Sequence, residues 1–234
     1  MNDSARAIQA AILGNVNIDL ILAPLPHLPE WGREILVPLL EARAAGAAGY
    51  TAQALARLGV TTSLTGMIGN DPWGQFICQA FSAHASLDIS GLEVLPDAPT
   101  GVSVALVGER GQRGFVSHAG AAGLADASLL ARQMKRLLSA RFILVCGYFF
   151  MPALRGAAMQ AFMRRARAAG SMVLLDTGWD PDNWPPATRG EVLALLDDVD
   201  LFLPNLEEAQ ALTGASAPLD CARALVGRGA RAVA

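Results

Sequence analysis

The stretch Gly66-Met67-Ile68-Gly69-Asn70-Asp71-Pro72-Trp73-Gly74 places three glycines, an aspartate and a proline within nine residues. Glycine supplies positive φ and close backbone approach, so a run this dense is a turn joining two packed elements rather than the interior of a core strand. Asp71 stands where a side-chain oxygen satisfies the free N–H groups of a first helical turn, which predicts a helix starting near Trp73. On the upstream side an alanine-rich segment ends in Arg57-Leu58-Gly59, and the apolar run Thr61 to Met67 follows it. The local order is therefore helix, strand, tight turn, helix.

The same alternation extends outward. Strands are predicted over Ala7 to Leu13, Thr61 to Met67, Phe142 to Cys146, Met172 to Asp176 and Leu201 to Leu203. Helices are predicted over Tyr50 to Leu58, Trp73 to Ser86, Ala153 to Ala169 and Glu191 to Leu196. Apolar runs separated by helical segments argue for an α/β fold, a mostly parallel sheet with helices on both faces.

Two segments break the pattern. Leu20 to Ala44 contains four prolines among short apolar stretches. Gly101 to Ser117 puts Val102, Val104 and Leu106 on one face and Ser103, Ala105 and Val107 on the other, then turns through Gly108-Glu109-Arg110-Gly111. Period-two patterning with a glycine-rich turn predicts antiparallel hairpin strands outside the main sheet.

Composition bounds the rest. A chain of 234 residues is expected to form one α/β domain, and 18 Lys plus Arg against 21 Asp plus Glu leave no broad basic field for nucleic acid or an anionic membrane. No stretch approaches the ~18 uninterrupted apolar residues of a membrane-spanning helix. Cys78, Cys146 and Cys221 form no CxxC pair, and reduced buried thiols are expected, which suits the cytoplasm. His27, His84 and His118 lie far apart, so a transition-metal site is not expected. Neither a Gly-x-Ser-x-Gly elbow nor a P-loop occurs, and no Gly-x-Gly-x-x-Gly follows the first strand, which argues against a hydrolase, a P-loop NTPase and a Rossmann oxidoreductase.

Three polar blocks follow apolar runs: Ile12-Leu13-Gly14-Asn15-Val16-Asn17-Ile18-Asp19, the glycine-rich turn, and Leu201-Phe202-Leu203-Pro204-Asn205-Leu206-Glu207-Glu208-Ala209. In this order they resemble the ribokinase-like, or PfkB, family of carbohydrate kinases, from about Leu13 to the last residue. The resemblance implies a ribokinase-like α/β domain over 1–234, incomplete at its C-terminus, with lid strands within about 20–44 and 101–118. An ordinary surface hairpin is the plainer reading of those strands.

The candidate site residues carry two readings each. Asp19, expected where a strand ends, is implied to accept hydrogen bonds from two vicinal sugar hydroxyls; otherwise it caps a turn. The family's hinge glycine pair falls on Ala45 and Gly46, and its substrate asparagine at the helix start falls on Tyr50, two departures that leave Gly46 as the flexible point and alter the pocket if Tyr50 faces it. Tyr50 packed under the lid is the alternative. Thr100-Gly101 resembles the family's threonine–glycine step, and Val102 is expected to offer an apolar wall to the sugar. Gly147, after a buried strand, is placed for close approach to substrate. Asp176, with Asp180 and Asn183 nearby, is implied to support the phosphate and metal region, or else closes a strand. Asn205 and Glu208 match the Asn-x-x-Glu pattern that the family sets near magnesium and phosphate; the same spacing is a capping box.

The family's second signature, a Gly-Ala-Gly-Asp segment that holds the phosphoryl group and supplies the base, has no counterpart before Ala234. The resemblance thus implies that the full gene product phosphorylates a sugar or sugar-like alcohol with ATP and Mg²⁺, and that this chain is C-terminally truncated and inactive alone, its catalytic base lying beyond Ala234. A nucleoside kinase of the same fold, with Tyr50 stacking on a base, and a non-catalytic sugar-binding protein are the alternatives. Lid edges of this fold can pair between subunits, which allows a homodimer.

Overall fold

The computed structural model describes residues 8–234. In chain order its elements are β1 (Ala10–Gly14), β2 (Asn17–Leu25), β3 (Leu39–Ala45), α1 (Ala47–Arg57), β4 (Thr62–Gly69), α2 (Pro72–Ser82), β5 (Leu87–Leu95), β6 (Gly101–Gly108) and β7 (Arg113–His118). There follow α3 (Ala127–Leu138), β8 (Phe142–Cys146), α4 (Ala157–Ala168), β9 (Met172–Asp176), α5 (Pro186–Leu195), β10 (Leu201–Phe202), α6 (Leu206–Thr213) and α7 (Pro218–Val226).

Six strands form one sheet in the order β10-β9-β8-β1-β4-β5, and every pairing within it is parallel. Strands buried on both faces need continuous apolar runs, which is why Ala10 to Gly14 and Ile143 to Cys146 are buried throughout. Alternate residues of β1 serve opposite faces: Ala11 and Leu13 join the cluster built by Leu129 and Leu137 of α3 and Met159 and Phe162 of α4. Ile12 joins the cluster built by Ala48 and Ala52 of α1 and Ile77 and Phe81 of α2. The sheet is therefore covered by helices on both sides, as the alternation predicted.

The remaining four strands form a second sheet, β3-β2-β6-β7. Its outer pairs are antiparallel, but β2 and β6 run parallel, so the expected two hairpins are joined side by side into one mixed sheet. On one face of this sheet Ile18 and Leu20 of β2, Ala42 and Ala44 of β3 and Val102 of β6 pack on the cluster of α1 and α2.

The glycine-rich turn works as the sequence implied and does more. Asp71 Oδ1 accepts from the Gly74 N–H at 2.8 Å, capping α2. Its carboxylate also accepts from the Thr100 N–H and hydroxyl, both at 2.7 Å, tying the cap of α2 to the start of β6. Burial raises the pKa of this carboxyl, but the Thr100 and Gly74 hydrogen bonds outweigh that and hold it below its ordinary value.

Several boundaries differ from expectation. The expected strand start at Ala7 lies outside the described residues. Helix α1 begins at Ala47, so Tyr50 is inside the helix, its N–H donating to the Gly46 carbonyl at 2.9 Å. Helix α2 ends at Ser82 rather than Ser86, and α5 begins at Pro186 rather than Glu191. Strand β5 and helices α3 and α7 are additional elements. Near the chain end, Val233 makes an isolated parallel bridge to Phe202. All three cysteines are free; Cys146 and Cys221 are buried, whereas Cys78 is only half-buried.

Candidate functional site

The chain leaves β1 through Asn15 and Val16 and enters β2, so residues at this joint sit at the carboxyl edge of the main sheet and the root of the second. Open α/β sheets bind ligands at this edge. Asn15 Nδ2 donates to Asn17 Oδ1 at 3.0 Å, and Asn17 Nδ2 donates to Asp19 Oδ1 at 2.8 Å and to Ser103 Oγ at 3.3 Å. Ser117 donates to Ser103 Oγ at 2.8 Å, and the Tyr50 hydroxyl donates to Asp19 Oδ2 at 2.9 Å. Burial raises the Asp19 pKa, and the bonds from Tyr50 and Asn17 oppose that rise.

This geometry corrects two expectations. Asp19 is not at a strand end; it is the third residue of β2, and its cross-strand neighbours are Arg43 and Ser103. Val102 pairs with Ile18 and shares its face, where both pack on the α1 and α2 cluster. Val102 therefore lies on the opposite side of the sheet from Asp19, because successive strand residues alternate faces. Ser103, not the expected apolar wall of Val102, stands beside Asp19 on its face.

Glycines make room at the joint. Gly46, at φ +89°, precedes α1, and a β-carbon there would approach Asn17 Oδ1 to 2.7 Å and run into the Asn15 carbonyl. Gly147, at φ +62°, follows β8, and a β-carbon there would run into Asn15 Oδ1. That oxygen is buried without a hydrogen-bond partner. The Gly147 N–H donates to the Asp176 carbonyl at 3.1 Å, so the joint continues along the edge to β9.

Asp176 ends β9, accepts from the Gly178 N–H at 3.1 Å, and has its pKa raised by burial. Asn205 caps α6: Asn205 Oδ1 accepts from the Glu208 N–H at 2.9 Å, while Glu208 accepts from the Asn205 N–H at 3.1 Å and from Nδ2 at 2.7 Å. The capping box is thus complete. Yet Glu208 is buried, and its pKa is pushed up to about 7, chiefly by that burial; the Asn205 N–H opposes the rise, while the nearby charges of Asp176 and Glu207 add to it. The Asp176 charge raises the proton affinity of Glu208, and the two carboxyls together form an electronegative edge suited to a hard cation. Thr177 Oγ1, next to Asp176, is buried with no partner. Among the described residues no group of three or more His, Cys, Asp or Glu is placed to hold a metal ion.

Asp180 does not join this edge. It is fully buried and closes its own turn, accepting from the Asp182 N–H at 3.1 Å and the Trp184 N–H at 2.9 Å, and Asn183 accepts from Trp179 Nε1 at 3.3 Å. The residue that sequence reasoning missed is Asn17. Its signal was the Asn17-Ile18-Asp19 spacing, which sets an amide and a carboxylate two apart on one strand face.

The two sheets and the polar joint between them are those of the ribokinase-like α/β class. Residues 7–234 match the pfkB family of carbohydrate kinases, and the chain belongs to that family. A PfkB protein from Polaromonas sp. JS666 is similar at 26% identity and TM-score 0.80, over 97% of this chain and 76% of that one. The Arabidopsis thaliana ribokinase complexed with ribose and ATP shares the fold at 21% identity and TM-score 0.78, over 97% of this chain and 71% of that one. Halothermothrix orenii fructokinase does so at 17% identity and TM-score 0.77, over 97% and 78%.

Proposed function

We propose that this chain carries the acceptor site of an ATP-dependent sugar kinase, with the second sheet as lid and the Asn17–Asp19–Tyr50 cluster holding a hydroxyl of a sugar or sugar-like alcohol. The supporting observation is a buried carboxylate whose two oxygens are oriented by Asn17 and Tyr50 at the root of a separate sheet, beside the carboxyl edge that carries Asp176 and Glu208. Such a carboxylate binds and orients an alcohol, which is most of what a positioning site contributes before chemistry.

The residues at the other end of the edge fit Mg²⁺. Asp176, Glu208 and the Asn205 carboxamide offer the oxygen donors that a small, hard cation prefers, and two carboxylates suit an ion that keeps several waters. When bound, Mg²⁺ with ATP supplies the phosphoryl group and offsets its charge. The chain's own contribution there is a cap that holds Glu208 fixed, a Glu208 proton that a cation would displace, and the Asp176 carboxyl beside it. We assign none of the described residues as general base, and a positioned base contributes ~10²–10⁴-fold to such a transfer. Two copies pair through the second sheet in this reading, using the face opposite Asp19, on which Leu40 and Val116 stay exposed beyond the end packed on α1 and α2.

The test combines calorimetry with D-ribose and D-fructose and ³¹P NMR of phosphoryl transfer from ATP and Mg²⁺. Binding that Asp19→Asn removes, with slow transfer to the bound alcohol, is expected. Binding that survives Asp19→Asn overturns the acceptor assignment, and binding without any transfer favours a sugar-binding protein.

A further inference from the structure

Three polar side-chain atoms meet between α3 and the first half of β4, each buried without a hydrogen-bond partner: Ser63 Oγ, Thr65 Oγ1 and Arg136 Nε. Ser63 and Thr65 are fully buried and stand two apart on β4, on the face of Met67, which joins the cluster of Leu129 and Leu137 of α3. Arg136 belongs to that helix, and its guanidinium donates to the carboxylate of Asp88, the cross-strand neighbour of Ser63.

A bulge in β5 brings these groups together. Ser63 pairs with Asp88 but Thr65 pairs with Gly91, so β5 carries one residue more than β4 over this step. Asp88 Oδ1 accepts from the Ser90 N–H at 2.9 Å and from its hydroxyl at 2.5 Å, which holds the extra residue on the exposed side. Gly91 is thereby set against Thr65: a β-carbon on it would stand 2.8 Å from Thr65 Oγ1 and 3.2 Å from Arg136 Cδ, the carbon bonded to Nε. Hydroxyl and guanidinium stem thus flank one point above Gly91, a gap that two hydrogen bonds of ~2.8 Å meeting at one oxygen span.

The chemistry of the three atoms defines what fits. An Arg Nε–H only donates, whereas each hydroxyl both donates and accepts. The next strand offers Ala11 beside Ser63 and Leu13 beside Thr65, so no protein group on that side completes the set. Asp88 already matches the Arg136 charge, which favours a neutral ligand over an anion. Buried waters make about three hydrogen bonds, and this site supplies three partners. We propose that a single water molecule is an integral part of this bulge, accepting from Arg136 Nε–H and donating to Thr65 Oγ1 with Ser63 Oγ as its third partner, and that it fastens α3 to the edge strand β5.

The sign of one substitution tests this. A buried hydroxyl with no partner costs stability, so Thr65→Val raises Tm if nothing is bound. With the water in place the substitution removes one of its three partners, and Tm is expected to fall by roughly 2–4 °C in a circular dichroism melt of the full chain. An unchanged or raised Tm overturns the proposal. Wild type gives a second reading that does not depend on any variant folding: in the ¹⁵N-labelled chain the Arg136 Nε–H is expected to show a cross-relaxation peak at the water frequency with the sign of a long-lived neighbour. Its absence overturns the site. Chloride or bromide at fixed ionic strength is expected to leave Tm where sulfate leaves it; a Tm that climbs with halide alone puts an anion there and overturns the water.

Discussion

Replacing Glu208 with glutamine removes one buried charge while leaving the N-terminal cap of α6 in place, since glutamine serves the capping box as glutamate does. The Glu208 carboxyl shifts from 4.5 to about 7 on folding. As pH rises past 4.5 the unfolded chain releases this proton while the folded chain keeps it until about 7, so the unfolded state binds fewer protons and stability falls across that window. The stabilisation is complete below the unfolded value and lost once pH passes the folded one. At ~1.4 kcal/mol per pH unit the ceiling is about 3 kcal/mol, and water reaching the start of the helix reduces it to about 1–2 kcal/mol. Urea unfolding of wild type and Glu208→Gln from about pH 5 to about pH 8 reads the effect directly, because every other titrating group cancels except where Asp176 couples to Glu208. Wild type is expected to lose ~1–2 kcal/mol more than the variant over that range. Millimolar Mg²⁺ is expected to restore part of the loss in wild type at the alkaline end and none in the variant, since there Glu208 has lost its proton and only a carboxylate, not an amide, offers the cation a charged oxygen ligand. Parallel pH profiles for the two proteins would refute the claim that Glu208 is held protonated by its burial beside Asp176.

Gly147→Ala forces a β-carbon at φ +62° into Asn15 Oδ1, and is expected to destabilise by about 2 kcal/mol or more, lowering Tm by roughly 4–8 °C in a melt followed by circular dichroism. A wild-type melt from this variant would show that Asn15 can move aside and that the joint is not rigid. For the second sheet, Leu40 and Val116 lie on one face and are each 66% exposed, and Val116→Lys is expected to convert a dimer to a monomer in sedimentation velocity. A wild-type chain that sediments as a monomer at high concentration removes pairing through this sheet from the proposal.

The parallel sheet was legible because its central strands must be apolar on both faces. Phe142–Cys146 and Met172–Asp176 were bounded correctly from their runs alone. Strand β5 was not, because Leu87-Asp88-Ile89-Ser90-Gly91-Leu92 sits at the sheet edge, where one side is free to carry polar residues and the run breaks up. Helix α3 had signals that went unused: Asp126 Oδ1 caps it by accepting from the Ser128 and Leu129 N–H groups, and Leu129, Leu130 and Leu137 fall on its buried stripe. The start of α1 was beyond local reading. The alanines on both sides of Gly46 favour helix alike, and the boundary falls at Gly46 because its positive φ fits against Asn15 and Asn17, about thirty residues away in the chain.

The site follows the same division between local and long-range causes. Asn205 and Glu208 could be read either as a cap or as a cation edge, and the structure shows why the spacing cannot separate them. The box hydrogen bonds are all present, yet Glu208 is only 3% exposed, and Asp176 from a different strand adds to the burial that keeps its proton on. A cap at an exposed helix start stabilises by accepting N–H groups while charged; this one is most stable protonated, which a cap does not require. The excess is what a cation would relieve. Tyr50 repeats the logic at the other end of the edge. Its position in α1 follows from helical spacing, but its bond to Asp19 spans 31 residues and two elements, and only the fold shows that this carboxylate already accepts a hydrogen bond from a phenol.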